Sequence, residues 1–143
     1  MVSDETFHKE LEQIQNIIER QASNSFKIKG WTVTLVVVAL LFRTKDIHLG
    51  VAFIPLIGFW YLDAYFLRQE RRFRELYDWV RQNRPESDEE LFNMDPSRAD
   101  GDLGTVPAHM TTKSLIVFYG TITGLLTIYS AVLLCTNMGG VSG

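Results

Sequence analysis

Residues 114–135, SLIVFYGTITGLLTIYSAVLLC, run for twenty-two positions without an Asp, Glu, Lys or Arg. At a rise of about 1.5 Å per residue, roughly 20 apolar residues cross the hydrocarbon core of a bilayer. The segment therefore predicts a transmembrane helix. A soluble domain of 143 residues seldom has enough interior to enclose an uncharged helix of that length.

Bulk composition conceals this. Hydrophobic residues are 46% of the chain and charged residues 22%, both near soluble averages. The two kinds are segregated. Charge crowds into residues 1–29 and 68–113, and apolar residues fill most of the rest. The net charge of −3 makes no case for a nucleic-acid partner. The single Cys135 cannot form an internal disulfide, and no Cys/His spacing points to a metal. The first thirty residues are charged and lack a short apolar core with a small-residue cleavage site. Insertion is therefore expected to use segments that stay in the protein.

A second apolar region covers residues 26–67. Its first arm, about 26–43, contains GWTVTLVVVALLF, and Lys27 and Lys29 at its start can snorkel. Val and Thr at 32–38 would suit a buried strand in water. In lipid a lone strand leaves its backbone unpaired, so helix is expected. RTKDIHL at 43–49 breaks the region, and the second arm is 50–67, GVAFIPLIGFWYLDAYFL. Pro55 and Gly58 are expected to kink this arm, and Trp60, Tyr61 and Tyr65 suit an interfacial belt. Two arms with a short connection make an antiparallel hairpin.

The basic residues orient the chain. Arg43 and Lys45 lie in the hairpin connection, and none follows Cys135. The other twelve fall in residues 1–29 and 68–113, the side that the positive-inside rule assigns to the cytoplasm. The expected fold is an all-α integral membrane protein of the inner membrane with three transmembrane helices. Its N-terminus is cytoplasmic, and residues 136–143 form a short periplasmic tail.

The cytoplasmic parts carry their own pattern. Phe7, Leu11, Ile14, Ile17 and Ile18 recur at helical spacing, which predicts an amphipathic helix over 1–25 with a weak point at Asn24 and Ser25. RQERRFRELYDWVRQNR, residues 68–84, extends the second arm and ends at Pro85. Its stripe of Phe73, Leu76, Tyr77 and Val80, with Arg68, Arg71, Arg72 and Arg74 around it, is a candidate contact for a soluble partner or for lipid headgroups. SDEELFNM reads as a short helix with Ser87 and Glu90 as a capping box. Residues 94–113 read as a loop.

Three features bear on chemistry. Asp63 is the only acidic residue inside an apolar segment, where an unpaired carboxylate is costly. Folding the hairpin about residue 46 sets it opposite Lys29 or Gly30. A Lys29–Asp63 ion pair would fix the hairpin register, with ion or proton transport as the alternative. Gly120, Thr123, Gly124, Thr127 and Ser130 lie on one face of the third helix, with Gly120 and Gly124 as a GxxxG pair. Such a face serves helix packing or lines a pore. His8, His48 and His109 lie in separate segments, and no HExxH, GxSxG or P-loop occurs. No enzymatic activity and no cofactor are expected.

One layout ties these parts together: a short amphipathic helix, a membrane hairpin, and a Tyr/Arg/Glu-rich helix emerging from the second arm, YLDAYFLRQERRFRELYDWV at 61–80. Across residues 5–84 this resembles small bacterial membrane proteins found beside anti-phage and nucleotide-signalling genes, most of all the SLATT-type two-transmembrane effector domains. The third helix departs from their two-helix pattern. The resemblance implies a non-enzymatic effector thought to form membrane pores once a soluble sensor is triggered. The expected function is an inner-membrane effector or accessory subunit in defence or signalling, homo-oligomeric, with the bilayer and a soluble cytoplasmic protein as partners. The alternatives are a membrane scaffold that recruits a cytoplasmic enzyme and a subunit for ion or proton transport.

Overall fold

A computed structural model describes residues 3–41, 52–83, 91–99 and 104–139. Among the described residues the fold is all-helical, with no strand. In order come α1 (Asp4–Leu41), α2 (Phe53–Asn83), a 3-10 turn (Pro96–Ala99), α3 (Val106–Met110) and α4 (Lys113–Gly139). α1 and α4 are each long and apolar enough to cross a membrane. The hairpin connection at 43–49 and the capping box Ser87/Glu90 lie outside the described residues.

α1 begins where Ser3 Oγ accepts the Thr6 N–H at 3.3 Å, an N-cap with Asp4 and Glu5 in the positive first turn. It then runs 38 residues without a break. Asn24 and Ser25 are therefore not an interruption, because Ser25 spends its hydroxyl on a partner across the hairpin. α2 is likewise one element of 31 residues. Pro55 sits in its first turn, where the missing N–H has no intrahelical acceptor to lose, so the helix does not end there. At the far end Asn83 Nδ2 donates to the Trp79 carbonyl at 2.9 Å, satisfying one of the final orphan acceptors.

α1 and α2 pack antiparallel along most of their length and form two separate cores. One lies toward the chain's charged end. Ile14, Leu76 and Val80 are fully buried there, with Phe7, Leu11, Ile18, Phe73 and Tyr77 against them. We call this part the stalk. Burying each of its large aliphatic side chains contributes roughly 1.5–3 kcal/mol. Glu10, also fully buried, accepts the Phe92 N–H at 3.2 Å and so ties the 91–95 segment to the stalk. Phe92 holds a left-handed φ of 59° at that point, a conformation uncommon for a bulky residue. Of SDEELFNM, expected as a short helix, the described residues Leu91–Met94 form a turn followed by irregular chain.

The second core lies between the apolar halves of the helices. Val36, Leu56 and Ala64 meet Leu115, Tyr119 and Leu126 of α4. Around it the surface is apolar. Phe26 and Leu41 of α1, Ile54 of α2, and Val117 and Ile128 of α4 are all well exposed. Only 17% of the most apolar 18-residue window of α1, and of α4, is buried. That pattern is the reverse of a core helix in a water-soluble protein.

Residues 94–113, expected as a loop, contain the 3-10 turn and α3, both packed on α2. α3 is short but well defined at its start. Gly104 takes φ +67°, which only glycine adopts at no cost. Thr105 is extended, and a proline follows in the first turn. Arg68 Nε donates to the Gly104 carbonyl at 3.0 Å, fixing this connection to α2.

Candidate functional site

A buried polar node joins the three long helices. Asp63 sits in the first half of α2, and its side chain is fully buried. From α1, Lys29 Nζ lies 2.6 Å from Asp63 Oδ2, and Ser25 Oγ donates to Asp63 Oδ1. Lys29 Nζ also donates to Ser25 Oγ at 2.9 Å. Ser25 and Lys29 are four residues apart, one helical turn, so both side chains leave α1 on the face toward α2. From α4, the Tyr119 hydroxyl lies 3.2 Å from both Asp63 Oδ2 and the Phe59 carbonyl oxygen, with one proton to share between them.

The carboxylate thus has an ammonium and two hydroxyls around it. The Lys29 side chain keeps 23% exposure while Asp63 keeps none. This is snorkelling: the cation reaches outward and the anion stays sealed. A carboxylate at this depth is tolerated because each oxygen has a partner. Aromatic packing closes the node. Trp60 stacks on Tyr119 with ring centroids 5.6 Å apart and planes 7° from parallel. The Trp60 indole N–H donates to the Met110 carbonyl at 3.1 Å, tying the end of α3 to the same layer.

The structure brings Lys29 and Asp63 together. Ser25 and Tyr119 complete the node and have no counterpart among the sequence candidates. Ser25 stands at the position read as a weak point, and Tyr119 stands inside an uncharged run where nothing distinguishes a clasping tyrosine from an interfacial one. Asp63 is buried among Lys29, Ser25 and Tyr119 within the single chain. These contacts link α1, α2 and α4 at one point.

The small-residue face of α4 is placed differently. α4 packs on α2 through Leu115, Tyr119 and Leu126. Gly120, Gly124 and Thr127 point away and are exposed, with Thr123 and Ser130 on the flank. A Cβ added at Gly120 or Gly124 would meet nothing within 4 Å. Within the chain these glycines allow no close approach. The hydroxyls of Thr123, Thr127 and Ser130 donate to the carbonyls of Tyr119, Thr123 and Leu126, at 2.8, 2.8 and 2.7 Å. Each proton is satisfied inside the helix, so the face needs no water to stay in an apolar setting.

The stalk stripe is largely used up at home. Val80 is buried against α1, and Phe73 and Tyr77 pack on the same core. As a contact for a soluble partner, Val80 is corrected by this burial, and only the rims of Phe73 and Tyr77 remain accessible. Among the arginines, Arg74 pairs with Glu70 at 2.7 Å, Arg68 holds the Gly104 carbonyl, Arg72 is engaged and Arg71 is exposed.

His109 lies buried in α3 with Nδ1 3.1 Å from the Thr105 carbonyl oxygen. Among the described residues, no group of three or more His, Cys, Asp or Glu side chains is arranged to hold a metal. Comparison with protein families, with curated proteins and with solved structures gives no match.

Proposed function

We propose that the chain is a non-enzymatic inner-membrane effector or accessory subunit. It crosses the bilayer three times, assembles with copies of itself through α4, and meets a soluble cytoplasmic partner through the stalk. The observation that carries this reading is the outward face of Gly120 and Gly124. Glycine inside a helix costs roughly 0.5–1 kcal/mol relative to alanine. Two glycines one turn apart, exposed on a membrane-length helix and unneeded within the chain, are accounted for by close approach of a second helix.

The third crossing is supported by α2. Its first half runs beside the apolar half of α1 and exposes Ile54, Ile57, Tyr61 and Leu62. A lipid environment satisfies that surface, and water does not. The resemblance of residues 5–84 to SLATT-type effectors supports a defence or signalling setting, with the pore arising only in the assembled form.

A second reading, a scaffold without a pore, is favoured by the sealed state of Asp63 and by the back-bonded hydroxyls of α4. The two readings share assembly and separate on conductance. The test compares the native chain with Gly124→Leu, by mass in detergent and by membrane potential in expressing bacteria. A multimer that falls to a single chain in the variant is expected, and an unchanged mass would sink the assembly reading. Depolarisation lost with assembly selects the pore, and assembly without depolarisation selects the scaffold.

A further inference from the structure

α1 and α4 both pack on α2, and Val36 of α1 shares a buried core with Leu126 of α4. Between them lie two apolar clefts. One, of about 590 Å³, runs along α4 from Lys113 through Val117 to Ile122, with Val33 of α1 opposite. The other, of about 300 Å³, lies between Val37 and Leu40 of α1 and Leu125 and Tyr129 of α4. Val33 and Ile122 line both, so the clefts form one continuous groove. On α4 it extends from residue 113 to residue 129, about 24 Å at the helical rise. One leaflet of the hydrocarbon core is about 15 Å deep.

An extended acyl chain is only one methylene wide and fits such a slot along its length. Charge identifies the rest of the ligand. Lys113 is the only Lys, Arg, Asp or Glu of α4, stands at the groove's end, is exposed, and makes no ion pair among the described residues. A lone ammonium where an apolar slot reaches the polar end of a membrane helix complements a phosphate.

We propose that the α1–α4 groove is a lipid site, holding one acyl chain of an anionic phospholipid whose headgroup phosphate pairs with Lys113. Lipid in the groove fills the space between α1 and α4 beside the core that Val36 and Leu126 share. The site rests on the membrane-spanning reading given above, and the two can fail separately.

The experiment uses the full-length chain, extracted from membranes and exchanged into detergent with phosphatidylglycerol or phosphatidylcholine. Retained lipid is counted by native mass spectrometry. The expected result is one phosphatidylglycerol per chain, retained at least fivefold over phosphatidylcholine. Lys113→Gln should abolish that preference. Leu125→Trp, which fills the slot from the opposite end, should release the lipid while the charge stays in place. Equal retention of both lipids, or retention unchanged in both variants, overturns the proposal. A Leu125→Trp variant that dissociates the assembly without changing lipid retention overturns it too, and assigns the groove to a second copy. A chain that stays soluble without detergent overturns the membrane-spanning reading itself. A chain that needs detergent yet keeps no lipid overturns only the site.

Discussion

Lys29 of α1 and Asp63 of α2 face each other at 2.6 Å across the hairpin, the lysine partly exposed and the carboxylate fully buried. The asymmetry decides which partner matters more to the other. Without Lys29 the carboxylate is left sealed with hydroxyls alone. Without Asp63 the lysine can still reach outward.

Lys29→Met is therefore expected to cost more than Asp63→Leu. Breaking a buried pair from one side typically costs about 3–5 kcal/mol. The double variant should recover most of that loss, because an apolar pair of similar volume replaces the ion pair. Thermal unfolding of the four proteins in one detergent measures the cycle. Additive losses would mean that the two residues do not act as a pair.

Tyr119→Phe keeps the ring stacked on Trp60 and removes only the hydroxyl that faces Asp63 and the Phe59 carbonyl. A loss of roughly 1.5–3 kcal/mol is expected for a hydrogen bond to a charged acceptor. Tyr119→Ala removes the ring as well and should cost about 3–5 kcal/mol, the range for emptying an aromatic site. Equal effects of the two would show that the hydroxyl holds nothing.

Ile14→Ala empties the centre of the stalk core, where Ile14, Leu76 and Val80 are fully buried. A loss of about 2–5 kcal/mol is expected. It should be local, raising hydrogen exchange and protease cleavage in the first half of α1 and the last half of α2. The apolar halves, clasped by Lys29 and Asp63, should keep their protection. Uniform deprotection of both halves would show one cooperative unit in place of two cores.

Legibility in the sequence followed the contrast each residue makes with its surroundings. Asp63 is visible because a carboxylate in an apolar segment has to be explained, and a hairpin centred near residue 46 leaves Lys29 as its partner. Ile14 and Leu76 are visible through helical spacing. Tyr119 and Ser25 are not, since a hydroxyl in a helix is ordinary and only the third dimension brings both to Asp63. The face of α4 that packs at home is also hidden. Leu115, Tyr119 and Leu126 differ little in composition from the apolar residues around them, while Gly120 and Gly124 stand out and lie on the outward side. The structure of 94–113 escaped for another reason: a five-residue helix held by packing on α2 has too little periodicity to read.

In the proposed three-crossing arrangement, α4 separates Ser97, between α2 and α3, from Thr136, near its own end, so the two lie on opposite sides of the membrane. Single cysteines at these two positions, in a Cys135→Ser background, test this directly with a membrane-impermeant maleimide applied to intact spheroplasts. Thr136→Cys is expected to label in intact spheroplasts, and Ser97→Cys only after lysis. Labelling of both from the same side would contradict the crossing by α4 and so the three-crossing arrangement, and labelling of Ser97→Cys in intact spheroplasts would contradict the placement of the stalk in the cytoplasm.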